Sequence, residues 1–228
     1  MPPISKPIPR FFADAPREGI AYGAYEQTLA DAFVAACAEY ADEAGPVDPA
    51  TLRWFPDRSW GGRTYVPVIA FSPGGDGSRV EYYGHVSFFR PEEGDLEDLR
   101  VVADFTDVTA EDNPDWKIDL NDDVIGQWRS EKGRGGDVTL IWGVPLVRGP
   151  LAATAEINGD AVDQIAVTAG RFTLLAVDAI KGFGEEMFIE VAVWDKRLRE
   201  LARDSLYDIG ESEDAEDDPA DAAELEDE

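Results

Sequence analysis

Residues 151–169 read Leu151-Ala-Ala-Thr-Ala-Glu-Ile-Asn-Gly-Asp-Ala-Val-Asp-Gln-Ile-Ala-Val-Thr-Ala169, and this stretch decides the fold class. Asn158 and Gly159 stand between two short runs that are rich in apolar residues. An Asn-Gly pair readily adopts the positive φ angles that a two-residue hairpin turn requires. The stretch therefore predicts an antiparallel hairpin with strands at 151–157 and 161–169.

The segments around this hairpin continue the strand pattern. Within 186–194, Met187, Ile189, Val191 and Val193 recur at every second position, which is the period of a strand. Similar runs predict strands at 138–147, 171–178, 63–71, 79–89 and 99–108. We expect an α+β chain dominated by antiparallel sheet, arranged as a barrel or a meander.

Two helices are predicted in addition to the strands. The first, at 24–44, has apolar side chains at helical spacing: Tyr25, Leu29, Phe33, Cys37 and Tyr40. Because Cys37 belongs to this stripe, it is predicted to be a buried apolar residue and not a nucleophile. The second helix is predicted at 196–209, with Asp195 as its cap.

The charge of the chain is strongly negative and unevenly spread. The formal net charge is −28, and residues 211–228 carry eleven acidic residues and no basic one. A segment so charged and so poor in apolar residues does not fold alone. We therefore predict three parts: an extended proline-rich arm at 1–16, one β-rich domain at 17–210 and a disordered acidic tail at 211–228.

Several classes of protein are disfavoured by composition. A single cysteine excludes an internal disulfide and a cysteine-based metal site, and a single histidine excludes a histidine-rich one. No run has the length of a membrane span or a signal peptide, so a cytoplasmic protein is expected. The acidic stretch 107–123 is interpreted as a solvated loop, with a Mg²⁺ or Ca²⁺ site as the alternative. We expect no metal and no cofactor.

The segment 52–65 combines cationic and aromatic side chains. Its candidate binding residues are Arg53, Trp54, Arg58, Trp60, Arg63 and Tyr65. Rings of this kind can stack on nucleic-acid bases while guanidinium groups contact phosphates. In the alternative interpretation, the rings cover a core and the arginines pair with the abundant carboxylates of the chain.

A second basic patch lies at 127–137. Its candidate binding residues are Arg129, Lys132 and Arg134, which are interspersed with glycines. It is interpreted either as a loop that wraps a phosphate backbone or as an ordinary hairpin loop. His85 is predicted to be a surface or ligand-contacting histidine, because its neighbour Ser87 on the same strand rarely gives a working triad.

The order of these elements resembles that of single-stranded-DNA-binding proteins of tailed phages. In that family an oligonucleotide-binding (OB) barrel carries a long helix and ends in an acidic tail. The similar features here are the helix at 24–44, the Gly135-Gly136-Asp-Val-Thr-Leu-Ile-Trp strand, the Gly170-Arg-Phe-Thr-Leu-Leu-Ala-Val strand and the tail. The resemblance implies an OB-like barrel that binds single-stranded DNA during replication, with the tail tuning binding.

Two further functions compete with single-stranded-DNA binding. An acidic interaction protein, such as an inhibitor, an immunity-type partner or a DNA mimic, would bind a basic protein and leave the 53–63 cluster buried or internally paired. A carboxylate-dependent hydrolase ranks third, because 48 acidic residues give no basis for choosing a catalytic pair. The expectation is therefore a non-enzymatic protein.

Overall fold

A computed structural model describes residues 25–73, 79–90, 95–129, 135–179 and 189–206. The predicted first helix is confirmed as α1 (Glu26–Cys37), a 3-10 turn (Ala38–Tyr40) and α2 (Ala41–Ala44). Leu29, Phe33 and Cys37 are buried, as their spacing predicts. Gly45, with φ 76°, follows α2 and ends the helical segment.

The first sheet, sheet A, has strand order β1-β3-β4-β5, and β2 pairs with β3. Its strands are β1 (Asp48–Trp54), β2 (Arg58–Trp60), β3 (Arg63–Ser72), β4 (Val80–Phe89) and β5 (Glu97–Thr106). All of these pairs are antiparallel. The predicted strands at 63–71, 79–89 and 99–108 are confirmed as β3, β4 and β5, whereas β1 and β2 were not predicted.

The remaining strands form two more antiparallel sheets. Sheet B contains β6 (Ile118–Arg129), β7 (Gly135–Pro145) and β10 (Phe172–Ala179), in the order β10-β7-β6. Sheet C contains β8 (Ala152–Ile157), β9 (Asp160–Ala166), β11 (Ile189–Trp194) and β12 (Glu200–Ser205), in the order β12-β11-β8-β9. The φ angles of Asn158 and Gly159 are 51° and 84°, which confirms the predicted hairpin turn between β8 and β9.

The sheets stack as layers with an apolar core in each gap. One core joins α1 to β3 and β4, through Leu29, Phe33, Val68 and Tyr82. A second lies between the other face of sheet A and sheet B, and a third lies between sheets B and C. The strands predicted between residues 138 and 194 are therefore divided between sheets B and C. Among the described residues the three sheets are open, and no closed barrel is found.

The predicted second helix, at 196–209, is wrong. After Asp195 the chain turns tightly and forms β12, which pairs with β11. The Asp195 carboxylate accepts the backbone N–H of Arg197 at 2.7 Å and of Arg199 at 3.0 Å. An aspartate can satisfy backbone groups in a turn as well as at a helix start, so this signal does not distinguish the two.

The acidic stretch 107–123 was also misinterpreted in part. Residues 107–117 connect strands, but β6 begins at Ile118 and includes the rest of the stretch. Its polar residues alternate with Ile118 and Leu120, which pack in the core between sheets B and C. The basic patch at 127–137 is likewise divided between the end of β6, the start of β7 and residues outside the described ranges.

Other predictions lie outside the described residues: the arm at 1–16 and the tail at 211–228. In the described ranges, no helix has both the length and the apolar character needed to cross a membrane.

Candidate functional site

The first cationic segment, 52–65, forms the end of β1, all of β2 and the start of β3 in sheet A. The Arg53 side chain is exposed and its guanidinium lies 5.4 Å from the centre of the Phe71 ring. Trp54 has only 9% of its surface exposed and packs in the core beneath α1. Tyr65 is also buried, 7% exposed, in the core between sheets A and B. The structure therefore does not present Trp54 or Tyr65 as open stacking faces.

Arg58 and Arg63 are committed to contacts within the protein. The Arg58 guanidinium forms an ion pair with Asp163 at 2.5 Å, which connects β2 of sheet A to β9 of sheet C. The Arg63 guanidinium donates to the Ser87 hydroxyl at 3.2 Å and to the Asp98 carbonyl at 2.9 Å, and it pairs with the Asp98 carboxylate. These contacts match the alternative interpretation of the segment.

Trp60 connects the first cationic segment to the second. Its ring is half-buried against the core between sheets A and B. A Cβ atom placed on Gly126 of β6 would lie 3.6 Å from the Trp60 indole nitrogen. Arg129 ends the same strand, while Lys132 and Arg134 lie outside the described residues. The fold thus places Trp60 of the first segment beside β6, the strand that ends at Arg129.

His85 is buried, so the prediction of a surface histidine is wrong. Only 4% of its surface is exposed, because β6 covers this part of β4. Its Nε2 atom lies 2.8 Å from the Asp123 carboxylate, and its ring meets Tyr65 edge-on at 5.6 Å. Its Nδ1 atom is buried without a hydrogen-bond partner in the described structure. The Ser87 hydroxyl contacts Arg63, so no triad is assembled here.

Glu81 lies on the same face of β4 as His85 and is 4% exposed. Burial raises the pKa of its carboxyl group to about 8, and the nearby Asp119 charge adds to the rise. Asn121 on β6, together with Arg53 and Arg79, acts in the opposite direction. Glu81 is therefore mostly protonated at neutral pH, and it forms part of a polar strip between β4 and β6.

The acidic side of the molecule is formed by β5, the connection 107–117 and β6. Residues 95–123 contain eleven Asp or Glu residues and only two basic ones. We call the carboxylates of this segment the acidic face. Burial raises the pKa of Tyr83, and the charges of Asp104 on β5 and Asp122 on β6 raise it further. The two carboxylates therefore lie near the same side chain. The pKa of Asp122 is itself raised, first by burial and then by Asp123.

The described part of this face contains no candidate metal centre, and one cleft touches it. Among the described residues, no group of three or more His, Cys, Asp or Glu side chains could hold a metal ion. A cleft of about 430 Å³ lies near Phe71 at the end of β3. There Arg79 stacks 3.7 Å from the Phe71 ring centre and pairs with Glu111 at 3.3 Å. Its lining mixes both charges and gives no preference for one ligand class.

Comparison with known proteins adds no family to this description. No protein-family model, curated protein or solved structure matches the chain. The resemblance to phage single-stranded-DNA-binding proteins therefore stays a prediction.

The two cationic segments are visible in the sequence, whereas the acidic face is not visible there as a structural unit. The density of carboxylates was visible at 107–123, yet it suggested a loop. The available signal was the short alternation from Ile118 to Asn121, where Asp119 and Asn121 are polar. A strand of that pattern, stacked on sheet A, brings carboxylates of β6 near those of β5, as Asp104 and Asp122 beside Tyr83 show.

Proposed function

We propose that the chain is a non-catalytic interaction protein that binds a basic protein partner through its acidic face. The observation that carries this proposal is that two of the predicted binding arginines form ion pairs within the protein. Arg58 and Arg63 are paired with Asp163 and Asp98, whereas Glu97 and Asp104 on β5 are exposed. An inhibitor, an immunity-type protein or a DNA mimic would have this distribution of charge.

Electrostatics also favours a cationic partner. A field from a net charge of −28 accelerates association with basic surfaces and opposes association with nucleic acid. The raised pKa values of Asp119 and Asp122 reflect burial, with an added contribution from Asp123 at Asp122. A cation bound beside these groups would favour their charged forms and lower their pKa values.

A binding titration with two labelled probes tests the proposal. Labelled oligolysine and labelled oligo-dT are titrated with the full chain at low and moderate salt, and fluorescence anisotropy is recorded. We expect oligolysine to bind and to weaken with salt. The variant Glu97→Gln/Asp104→Asn should weaken oligolysine binding more than Glu39→Gln/Asp160→Asn, which removes the same number of charges elsewhere. Equal weakening would indicate binding to overall charge, and no oligolysine binding would reject the proposal.

Single-stranded-DNA binding is the second candidate, and one observation favours it. Trp60 lies beside Gly126 in the strand that ends at Arg129, so a half-buried ring is close to the second cationic segment. In this candidate function the chain would be a cytoplasmic, OB-like protein whose tail at 211–228 competes with DNA. The ion pairs of Arg58 with Asp163 and of Arg63 with Asp98 count against this candidate.

The same titration distinguishes the second candidate from the first. If the chain binds oligo-dT, Trp60→Ala should weaken binding more than Trp60→Phe, because stacking on an aromatic ring contributes about 1–3 kcal/mol per base. A chain that ends at Gly210 should bind oligo-dT more tightly than the full chain. If oligo-dT does not bind at low salt in either form, this candidate is rejected.

A further inference from the structure

Among the described residues, β5 is a terminal strand of sheet A whose second edge is unpaired, since β5 pairs with β4 alone. Seven consecutive residues, from Arg100 to Thr106, keep an unbroken register with β4. The irregularity is confined to the start of the strand, where Asp98 has φ 49°. Long, regular edges of this kind can pair with another strand, and proteins usually shorten or interrupt them.

The direction of the main-chain groups on β5 can be assigned from two contacts. A Cβ atom placed on Gly84 of β4 would lie 2.0 Å from the carbonyl oxygen of Val102, so this carbonyl points toward β4. The N–H of Phe105 donates instead to the carboxylate of Asp104 at 2.8 Å. Since main-chain groups alternate along the regular part of an antiparallel strand, Val101, Ala103 and Phe105 direct theirs to the free edge.

The side chains on the two faces of β5 differ in character. Leu99, Val101, Ala103 and Phe105 are half-buried and pack beside α1. The opposite face carries Arg100, Val102 and Asp104, all exposed, with Val102 at 45%. The Arg100 guanidinium pairs with Asp98 of the same strand at 2.8 Å. Along this exposed face the side chains at every second position are therefore a cation, an apolar residue and an anion, in that order.

We propose that β5 is a homodimerisation edge, at which two copies of this chain pair their β5 strands antiparallel around a two-fold axis through Val102. This register places Arg100 of each copy opposite Asp104 of the other and brings the two Val102 side chains together. Val101 pairs with Ala103 of the second copy. Both residues direct their main-chain groups outward, so the hydrogen-bond pattern permits the register that the charge pattern selects.

The contact is isologous, as a two-fold dimer requires, because each copy contributes the same strand. Sheet A would continue across the axis. The acidic faces of the two copies, including Asp122 and Asp123 of β6, would then lie on the same side of the extended sheet. Repulsion between them weakens the dimer at low ionic strength, and added salt screens that repulsion. The dimer should therefore become tighter as salt is raised, in contrast to oligolysine binding.

Charge exchange between two variants tests this register. Arg100→Glu places a new carboxylate opposite Asp104, and Asp104→Lys places a new ammonium group opposite Arg100, so each variant alone has two like-charged cross-strand pairs. We expect each variant alone to raise the dimer dissociation constant by about tenfold or more. An equimolar mixture should restore association, because both cross-strand pairs become oppositely charged. The measurement is sedimentation velocity over a range of protein concentrations at moderate salt.

Restoration in the mixture also shows that both variants are folded. Hydrogen exchange gives an independent readout: the amides of Val101 and Ala103 should gain protection as protein concentration rises, whereas those of Val102 and Asp104 should not change. A wild-type chain that stays monomeric at the highest concentration tested would overturn the proposal. A dimer that is insensitive to both variants would place the interface elsewhere.

Discussion

The two gaps between the sheets differ sharply in chemistry. The core between sheets B and C is built from side chains such as Ile141, Phe172 and Val191, all fully buried. The gap between sheets A and B also contains apolar side chains, but β4 brings Glu81 and His85 into it, opposite polar residues of β6. One gap is a conventional core and the other combines a core with a polar strip.

This difference shows where the fold depends on packing and where it depends on solution conditions. Apolar burial changes little with pH, whereas a buried carboxyl group makes stability depend on pH. The polar strip also borders the acidic face, so the gap that responds to pH lies beside the proposed binding surface. The two gaps should therefore differ in the size and the pH dependence of the effects of mutations.

The largest effect is expected in the core between sheets B and C. Phe172 is fully buried, and replacing it with alanine should lower the free energy of unfolding by about 3–5 kcal/mol. The loss should be similar in mildly acidic and mildly alkaline buffer. Urea denaturation followed by circular dichroism measures it, and Leu198→Ala, which removes an exposed side chain, is the control. A loss below about 1 kcal/mol would show that this core repacks freely.

The gap between sheets A and B should instead make stability depend on pH. The pKa of Glu81 is about 8 in the folded chain, above its ordinary value of 4.5. Its contribution is therefore fully present below pH 4.5 and is lost as pH rises from 4.5 through about 8, a change on the order of 5 kcal/mol. Glu81→Gln should remove this loss, so the variant should exceed the wild type in stability most clearly at alkaline pH.

Unfolding free energies measured across this pH range test the expectation. The exposed Glu97→Gln is the matched control and should leave the slope as it is in the wild type. The raised pKa values of Asp119 and Asp122 give a slope of the same sign, which Glu81→Gln does not remove. If Glu81→Gln and the wild type have the same slope, Glu81 is not protonated in the folded chain at neutral pH.

A smaller effect is expected for the ion pair that connects sheets A and C. Arg58 and Asp163 are both mostly buried, and Asp163 also accepts the backbone N–H of Leu175 at 2.8 Å. Arg58→Ala should cost about 1–2 kcal/mol, because Asp163 then loses a charged partner. A double-mutant cycle with Asp163→Asn should show coupling between the two residues. For comparison, Arg199→Ala removes a mostly exposed guanidinium and should cost less. Equal costs would mean that burial does not strengthen the Arg58 pair.

Local patterns predicted much of the fold. The strand period identified most strands of sheets A, B and C, and Asn158-Gly159 identified the hairpin turn between β8 and β9. The helix predicted at 196–209 was wrong because the Asp195 carboxylate accepts backbone N–H groups in a turn, as it would at a helix start. The division of the strands into three sheets depends on long-range pairing, such as that of β10 with β7, which local periodicity does not specify.

The candidate site was harder to predict than the fold. The arginines of 52–65 were visible, but their partners Asp163 and Asp98 lie far away in sequence, so only the fold decides whether the charges are available. His85 gave the same difficulty, because β6 is the strand that covers it. The density of carboxylates was visible in the sequence as well. Their position on one side of the protein could not be predicted, because it depends on how the sheets that contain β5 and β6 pack together.

The smallest effect on stability is expected on the acidic face. Glu97 and Asp104 are exposed, so Glu97→Gln/Asp104→Asn should change the free energy of unfolding by no more than about 0.5 kcal/mol. A small increase is expected, because removing two charges reduces repulsion within a chain of net charge −28. Thermal unfolding at low and moderate salt measures the change, with Glu39→Gln/Asp160→Asn as the control. If the acidic face serves binding and not folding, the variant that loses oligolysine affinity keeps its stability; a large loss of stability would assign these carboxylates a structural role.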